Sequence, residues 1–239
     1  LTKNSNFEEC CFLLLHDHLP NQEEFEEFTS RLKEARAIPV QMQKNMRNWR
    51  KNAHPMDVLQ AFVAALAGYY DEKGTEKEIS HQRAINLIAK VPTIIASWER
   101  VRNDKVPIEP DSNLSHAANF LYMLTGERPD KEMERVFDVC LILHADHTFN
   151  ASTFAAREVA STRAHMYSAV SAAVGALSGE LHGGANFEVM KMLLDIKEEG
   201  NVENWVKEKI ENGDRIMGMG HAVYKTVDPR SMVLKELSK

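Results

Sequence analysis

Helical periodicity running from end to end is the strongest constraint in this sequence of 239 residues. Apolar side chains recur three and four positions apart, and no long segment alternates apolar with polar as a half-buried strand must. Phe7 to His18 carries Phe7, Cys11, Leu14 and Leu15 on one face, and Pro20 is expected to stop it. Asn21 followed by Glu24 predicts a capped helix start, with Phe25, Phe28 and Leu32 as the apolar stripe. Pro39 opens a short helix holding Met42, Met46 and Trp49. Pro55 suits the first turn of a helix with Val58, Leu59, Phe62, Val63 and Leu66 inside. A long helix is expected over 77–102, with Pro92 kinking it or splitting it in two. Further helices are expected over 114–124, capped by Gly126, and from Asp130 through His144. Others are expected over 186–197, over 202–211 and from Ser231 onward. No sequence repeat is present, and the class is all-α.

Between Ala151 and Gly179 the chain turns to alanine, serine and glycine. Small residues let helix backbones approach closely, so these helices are expected at the centre of the protein or at a subunit contact. Acidic and basic residues are interleaved and the net charge is −6, which excludes the basic stripe of a nucleic-acid binder. No apolar run is long enough to span a membrane. Leu1-Thr2-Lys3-Asn4 has no signal-peptide core and no initiator methionine, so the true N-terminus is expected upstream. Cys10, Cys11 and Cys140 form an odd set with two adjacent members. That is a poor disulfide framework, so they read as small core residues in a reducing, cytoplasmic setting.

The chemistry concentrates where the periodicity breaks. Three histidine clusters occur: His144-Ala145-Asp146-His147, then His182-Gly183-Gly184, then Gly220-His221. A histidine at a helix end can be merely a dipole partner. As a set they divide a task. Glycine beside each of two histidines admits close backbone approach or a positive φ. His182 can stabilise an oxygen on which negative charge develops. His147 and His221 can donate to a carbonyl oxygen and to carboxylates. Arg230, nine residues past His221, can grip a carboxylate with two parallel bonds. The backbone at Gly218-Met219-Gly220 can lie flat against a ligand's ring or phosphate. These parts suit carbon–carbon bond formation between an enolised thioester and a keto acid, and they lack a general base for the α-proton.

Three runs carry a resemblance to a known family: His144-Ala-Asp-His147-Thr-Phe-Asn150-Ala-Ser-Thr, Gly179-Glu-Leu-His182-Gly-Gly-Ala-Asn186, and Met217-Gly-Met-Gly-His221-Ala-Val-Tyr-Lys-Thr-Val-Asp228-Pro-Arg230. His54-Pro-Met-Asp57 and Asn119-Phe-Leu-Tyr-Met-Leu-Thr-Gly126 agree as well. Throughout its length the chain resembles citrate synthases of the shorter bacterial and archaeal form.

That resemblance implies a multi-helical, two-domain fold, with 1–181 in the large domain and 182–239 beginning the small one. It also implies a homodimer and a site in the cleft between domains. The implied reaction joins acetyl-CoA to oxaloacetate and hydrolyses citryl-CoA to citrate and CoA, with no metal and no resident cofactor. His182 matches the histidine that hydrogen-bonds the thioester carbonyl, and His221 the one that protonates the oxaloacetate carbonyl. His147 and Arg230 match oxaloacetate ligands. The backbone from Ile216 through Met217, Gly218 and Met219 to Gly220 matches the loop that recognises the adenine of CoA. Lys225 falls near its phosphates. The family's catalytic aspartate lies beyond Lys239, so these 239 residues are expected to be inactive alone. Three other readings remain open: a 2-methylcitrate synthase using propionyl-CoA, a metal-dependent all-α hydrolase built on His16-Asp17 and His144-x-x-His147, and a non-catalytic helical module.

Overall fold

A computed structural model describes residues 1–146, 148–219 and 226–238. Among them are twelve α-helices, one short 3₁₀ turn at Leu66–Gly68 and no strand. No helix among the described residues is long and apolar enough to cross a membrane. The chain divides into two compact units, Leu1–Val174 and Gly175–Lys239.

Unit 1 is arranged around one long helix. Its elements are α1 (Phe7–His16), α2 (Gln22–Glu34), α3 (Val40–Met46), α4 (Pro55–Ala65), α5 (Glu76–Arg102), α6 (His116–Thr125), α7 (Lys131–Ala145) and α8 (Ala151–Ser161), with most of α9 (Met166–Leu177). Three starts are closed by reciprocal capping boxes: Asn6 with Glu9, Asn21 with Glu24, and Thr75 with Glu78. The 27-residue α5 packs against α2, α3, α4 and α6. Pro92 neither splits it nor ends it. Proline deletes one ladder bond, but Ala89, Lys90, Thr93 and Ile94 on either side are buried, and that packing holds the helix together. The main core joins Met42 and Met46 of α3 to Val58 and Val63 of α4 and Ile94 of α5, all without exposure. Tyr167 anchors the first turn of α9. Its hydroxyl donates to Glu72 at 2.6 Å and accepts from Asn86 at 3.1 Å, while Arg83 pairs with Glu72 at 3.2 Å.

Three expectations need correction. The first helix ends at His16, closed by Asp17 in the left-handed region at φ 63°, before Pro20 is reached. Its buried face is Glu8, Cys10, Cys11 and Phe12, while Leu14 and Leu15 are exposed. Glu8 is inside because its carboxylate accepts the His116 N–H at 2.7 Å, a tertiary bond that periodicity cannot see. Trp49 lies outside α3 and packs its ring on Phe62, 5.8 Å between centroids. Of the small-residue helices, α8 buries no residue within the described structure and α9 buries Tyr167, Ala169, Ser171 and Val174. Cys10 and Cys11 are buried, and all three cysteines are free thiols.

His116, at the start of α6, gives unit 1 a pH signature. Burial of its ring, with the Arg36 charge nearby, lowers its pKa from 6.5 to about 3. The unfolded chain therefore takes up this proton first, and stability is lost as pH falls from 6.5 toward 3. The slope is at most about 1.4 kcal/mol per pH unit. Glu8 has the opposite sign, because burial raises its carboxyl and the folded form is protonated first. Chemical denaturation of wild type and His116→Asn between pH 7 and 4.5 isolates the histidine. The stability advantage of wild type should shrink with acidity, and parallel profiles would refute this assignment.

Unit 2 holds the end of α9, then α10 (Gly184–Glu199), α11 (Val202–Glu211) and α12 (Pro229–Leu237). Gly200, at φ 69°, ends α10, and Asn201 caps α11 by accepting the Asn204 N–H at 3.0 Å. The two helices pack together, with Trp205 of α11 buried. Asp228 caps α12, and Pro229 sits at its first position, where a missing N–H costs nothing.

Candidate active site

His182 lies in the tight turn that joins α9 to α10. Gly179 helps to close this turn, its carbonyl accepting the N–H of His182 at 2.9 Å and of Gly184 at 3.0 Å. Ser178 supports it, its hydroxyl donating to the Gly175 carbonyl at 2.8 Å. The following glycines are needed for space. Gly183 has φ −65° and ψ −22°, which any residue can adopt. A Cβ on Gly183 would lie 2.6 Å from the Leu177 carbonyl oxygen, and one on Gly184 2.8 Å from the Gly179 oxygen. The close approach expected of this glycine pair is therefore to its own chain. The N–H groups of Gly184, Ala185 and Asn186 are all bonded to backbone carbonyls of the turn. The start of α10 thus has these first donors spent.

A methyl group added at Gly183 should be felt twice. Gly183→Ala forces the backbone apart and is expected to destabilise unit 2 by about 1–3 kcal/mol. It should also displace His182 and depress turnover. Gly68→Ala is the control: nothing lies within 4 Å of its Cβ position, and the change should stay within about 0.5 kcal/mol. Equal melting temperatures for the two variants would contradict the packing role.

Ile216, Met217, Gly218 and Met219 form a second turn, closed by the Met219 N–H donating to the Ile216 carbonyl at 3.2 Å. Gly218 occupies the third position with φ 84°, where only glycine is unstrained. A Cβ there would meet Val189 Cγ2 of α10 at 3.3 Å, so the turn rests on the helix that follows His182. Val189 is five residues into α10, roughly 8 Å along its axis. Sequence reasoning missed this contact, since a valine on an amphipathic helix carries no signal of its own. Met219 is 78% exposed beside it. Gly220, His221 and Lys225 lie outside the described residues.

Arg230 is the second residue of α12. Its Nε donates to Asp228 Oδ1 at 3.1 Å and Oδ2 at 3.2 Å, and its Nη2 to Oδ2 at 2.7 Å. Asp228, known from the sequence only as part of Asp-Pro-Arg, is thus the carboxylate that holds the candidate anion-binding arginine.

In unit 1, His147 lies outside the described residues. Its neighbours have local duties: His144 Nδ1 bonds the Cys140 carbonyl at 2.6 Å, and Asn150 caps α8 by accepting the Thr153 N–H at 2.9 Å. His16 stacks on Phe12, 4.0 Å between ring centroids. Among the described residues no three His, Cys, Asp or Glu side chains are grouped to hold a metal ion. An apolar cavity of about 520 Å³ lies between α4, α5 and α6, lined by Met56, Ile94, Trp98 and Phe120 among others. Pro55 and Leu59, named above for the start and the buried face of α4, line it as well.

Comparison with known proteins adds a lineage to this geometry. Residues 1–239 match the family model described as citrate synthase, C-terminal domain. The chain is 44% identical over 240 residues to a citrate synthase of Synechocystis, covering 100% of itself and 60% of that protein. It is 38% identical over 240 residues to a 2-methylcitrate synthase of Shewanella oneidensis, covering 100% of itself and 64% of that protein. Its fold superposes on the crystal structure of citrate synthase from Pyrobaculum aerophilum with a TM-score of 0.88, at 41% identity and over 100% of this chain and 62% of that one. The chain thus spans 60% and 64% of the length of these curated relatives.

Proposed function

Because the chain belongs to the citrate synthase family, we propose that the whole protein condenses acetyl-CoA with oxaloacetate and hydrolyses citryl-CoA to citrate and CoA. One observation carries the reading furthest. The 216–219 turn, assigned to the adenine of CoA, rests on Val189 of α10, and α10 begins where the His182 turn ends. One helix thereby links the nucleotide end of the cofactor-sized substrate to the histidine assigned to its thioester.

In this reading His182 donates to the thioester oxygen as the family's catalytic aspartate takes the α-proton and charge moves onto that oxygen. His221 delivers a proton to the keto oxygen of oxaloacetate as the new bond forms, and the charge is then never left bare. His147 and Arg230 hold the carboxylates of oxaloacetate. Gly220 continues the adenine loop, and Lys225 meets the phosphates of CoA. Residues 1–181 form the large domain and 182–239 the beginning of the small one. The protein is a cytoplasmic homodimer. Phe187, Met190 and Leu194 of α10, each more than half exposed, support a subunit contact there. They stand at positions i, i+3 and i+7, on one face of the helix.

Comparing kcat/KM for acetyl-CoA and propionyl-CoA tests the substrate. One methylene is worth roughly 10- to 200-fold in a fitted pocket, and acetyl-CoA is expected to lead by at least the lower figure. A lead for propionyl-CoA would move the protein to the 2-methylcitrate reading, which the Shewanella relative keeps in view. No oxaloacetate-dependent thiol release from either thioester would refute both.

A further inference from the structure

The Asp228 carboxylate does more than its position in the helix requires. Capping α12 needs one acceptor, and Oδ1 supplies it to the Arg230 N–H at 2.9 Å. Ser231 is held separately, its N–H at 3.0 Å and hydroxyl at 2.7 Å both donating to the Asp228 main-chain carbonyl. The second oxygen, Oδ2, plays no part in the cap. It takes Nη2 of Arg230 at 2.7 Å and shares Nε, so the guanidinium is gripped along one edge. Asparagine caps a helix as well as aspartate does, so a helix start alone gives no reason for a carboxylate here.

We propose that Asp228 is a positioning residue for Arg230, locking the guanidinium in one plane before the carboxylate of the keto acid arrives. The inference rests on the assignment of Arg230 to oxaloacetate. A loose arginine side chain carries rotamer freedom, and a ligand that orders it bears that entropic cost. Here the cost is met during folding, by a partner two residues away on a rigid helix start. The negative charge of Asp228 works the other way, weakening the attraction for an anionic ligand. Orientation outweighs it, because charge attraction at a partly exposed site is screened by solvent and salt, and geometry is not.

Asp228→Asn and Asp228→Ser both preserve the cap, and both should melt within a few degrees of wild type. In the whole protein each is expected to raise KM for oxaloacetate about 10-fold, with kcat changed by less than about threefold. Arg230→Leu should raise the same KM, and adding Asp228→Asn to it should have no further effect. A KM that is unchanged or lower in Asp228→Asn would overturn the positioning role. So would an equal rise in the Arg230→Leu background, where there is no guanidinium to hold. If Arg230→Leu itself leaves KM unchanged, the fault lies with the assignment of Arg230 to oxaloacetate.

Discussion

Replacing His182 by alanine is expected to lower kcat/KM for oxaloacetate-dependent thiol release about 10²–10³-fold while leaving the fold intact. That is the usual cost of removing one donor from a site where an oxyanion develops. The geometry around His182 makes the loss hard to compensate. The N–H groups that a helix start might offer in its place are already bonded to the carbonyls of Gly179, His182 and Gly183. The turn itself is held by main-chain contacts and by the Gly183–Leu177 approach. A melting temperature near that of wild type, together with the loss of turnover, is the expected pair of results. A variant within threefold of wild type would remove His182 from the chemistry.

His221→Ala is expected to cost as much or more, about 10²–10⁴-fold, the range for loss of a positioned general acid. The step affected is different. Removal of the α-proton from the thioester needs the thioester oxygen stabilised, and it needs nothing at the keto oxygen. Attack by the enol on the keto carbon does need a proton there, or else a full negative charge forms in a site already holding two carboxylates. His221 follows Gly220 in the sequence, directly after the 216–219 turn. The defect should therefore appear in kcat for condensation. Near-normal turnover would refute the role.

Most of the helices were legible in the apolar spacing. The span predicted over 202–211 is the observed α11, and the face predicted for α4 is the one buried. Spacing failed where a polar partner from elsewhere in the chain decided the outcome. Glu8 is buried and Leu14 exposed because the His116 N–H needs an acceptor. Pro92 left α5 whole because packing on both sides outweighed one missing bond. At the candidate site the residue types were legible and their mechanics were not. Gly183 and Gly218 look alike in sequence, yet one serves a close approach at negative φ and the other a left-handed turn. The second oxygen of Asp228 could be found only from the coordinates, since a cap and a clamp are the same letter.

If the two imidazoles act on two different carbonyls in successive steps, isotope exchange separates them. The protein is incubated in deuterated water with acetyl-CoA and a hydroxy-dicarboxylate in place of oxaloacetate, so that enolisation can proceed and condensation cannot. Exchange of the acetyl methyl protons is followed by NMR. Wild type and His221→Ala should exchange at comparable rates, and His182→Ala should exchange at least about 100-fold more slowly. Full exchange in His182→Ala, or equal loss in both variants, would contradict the division of labour.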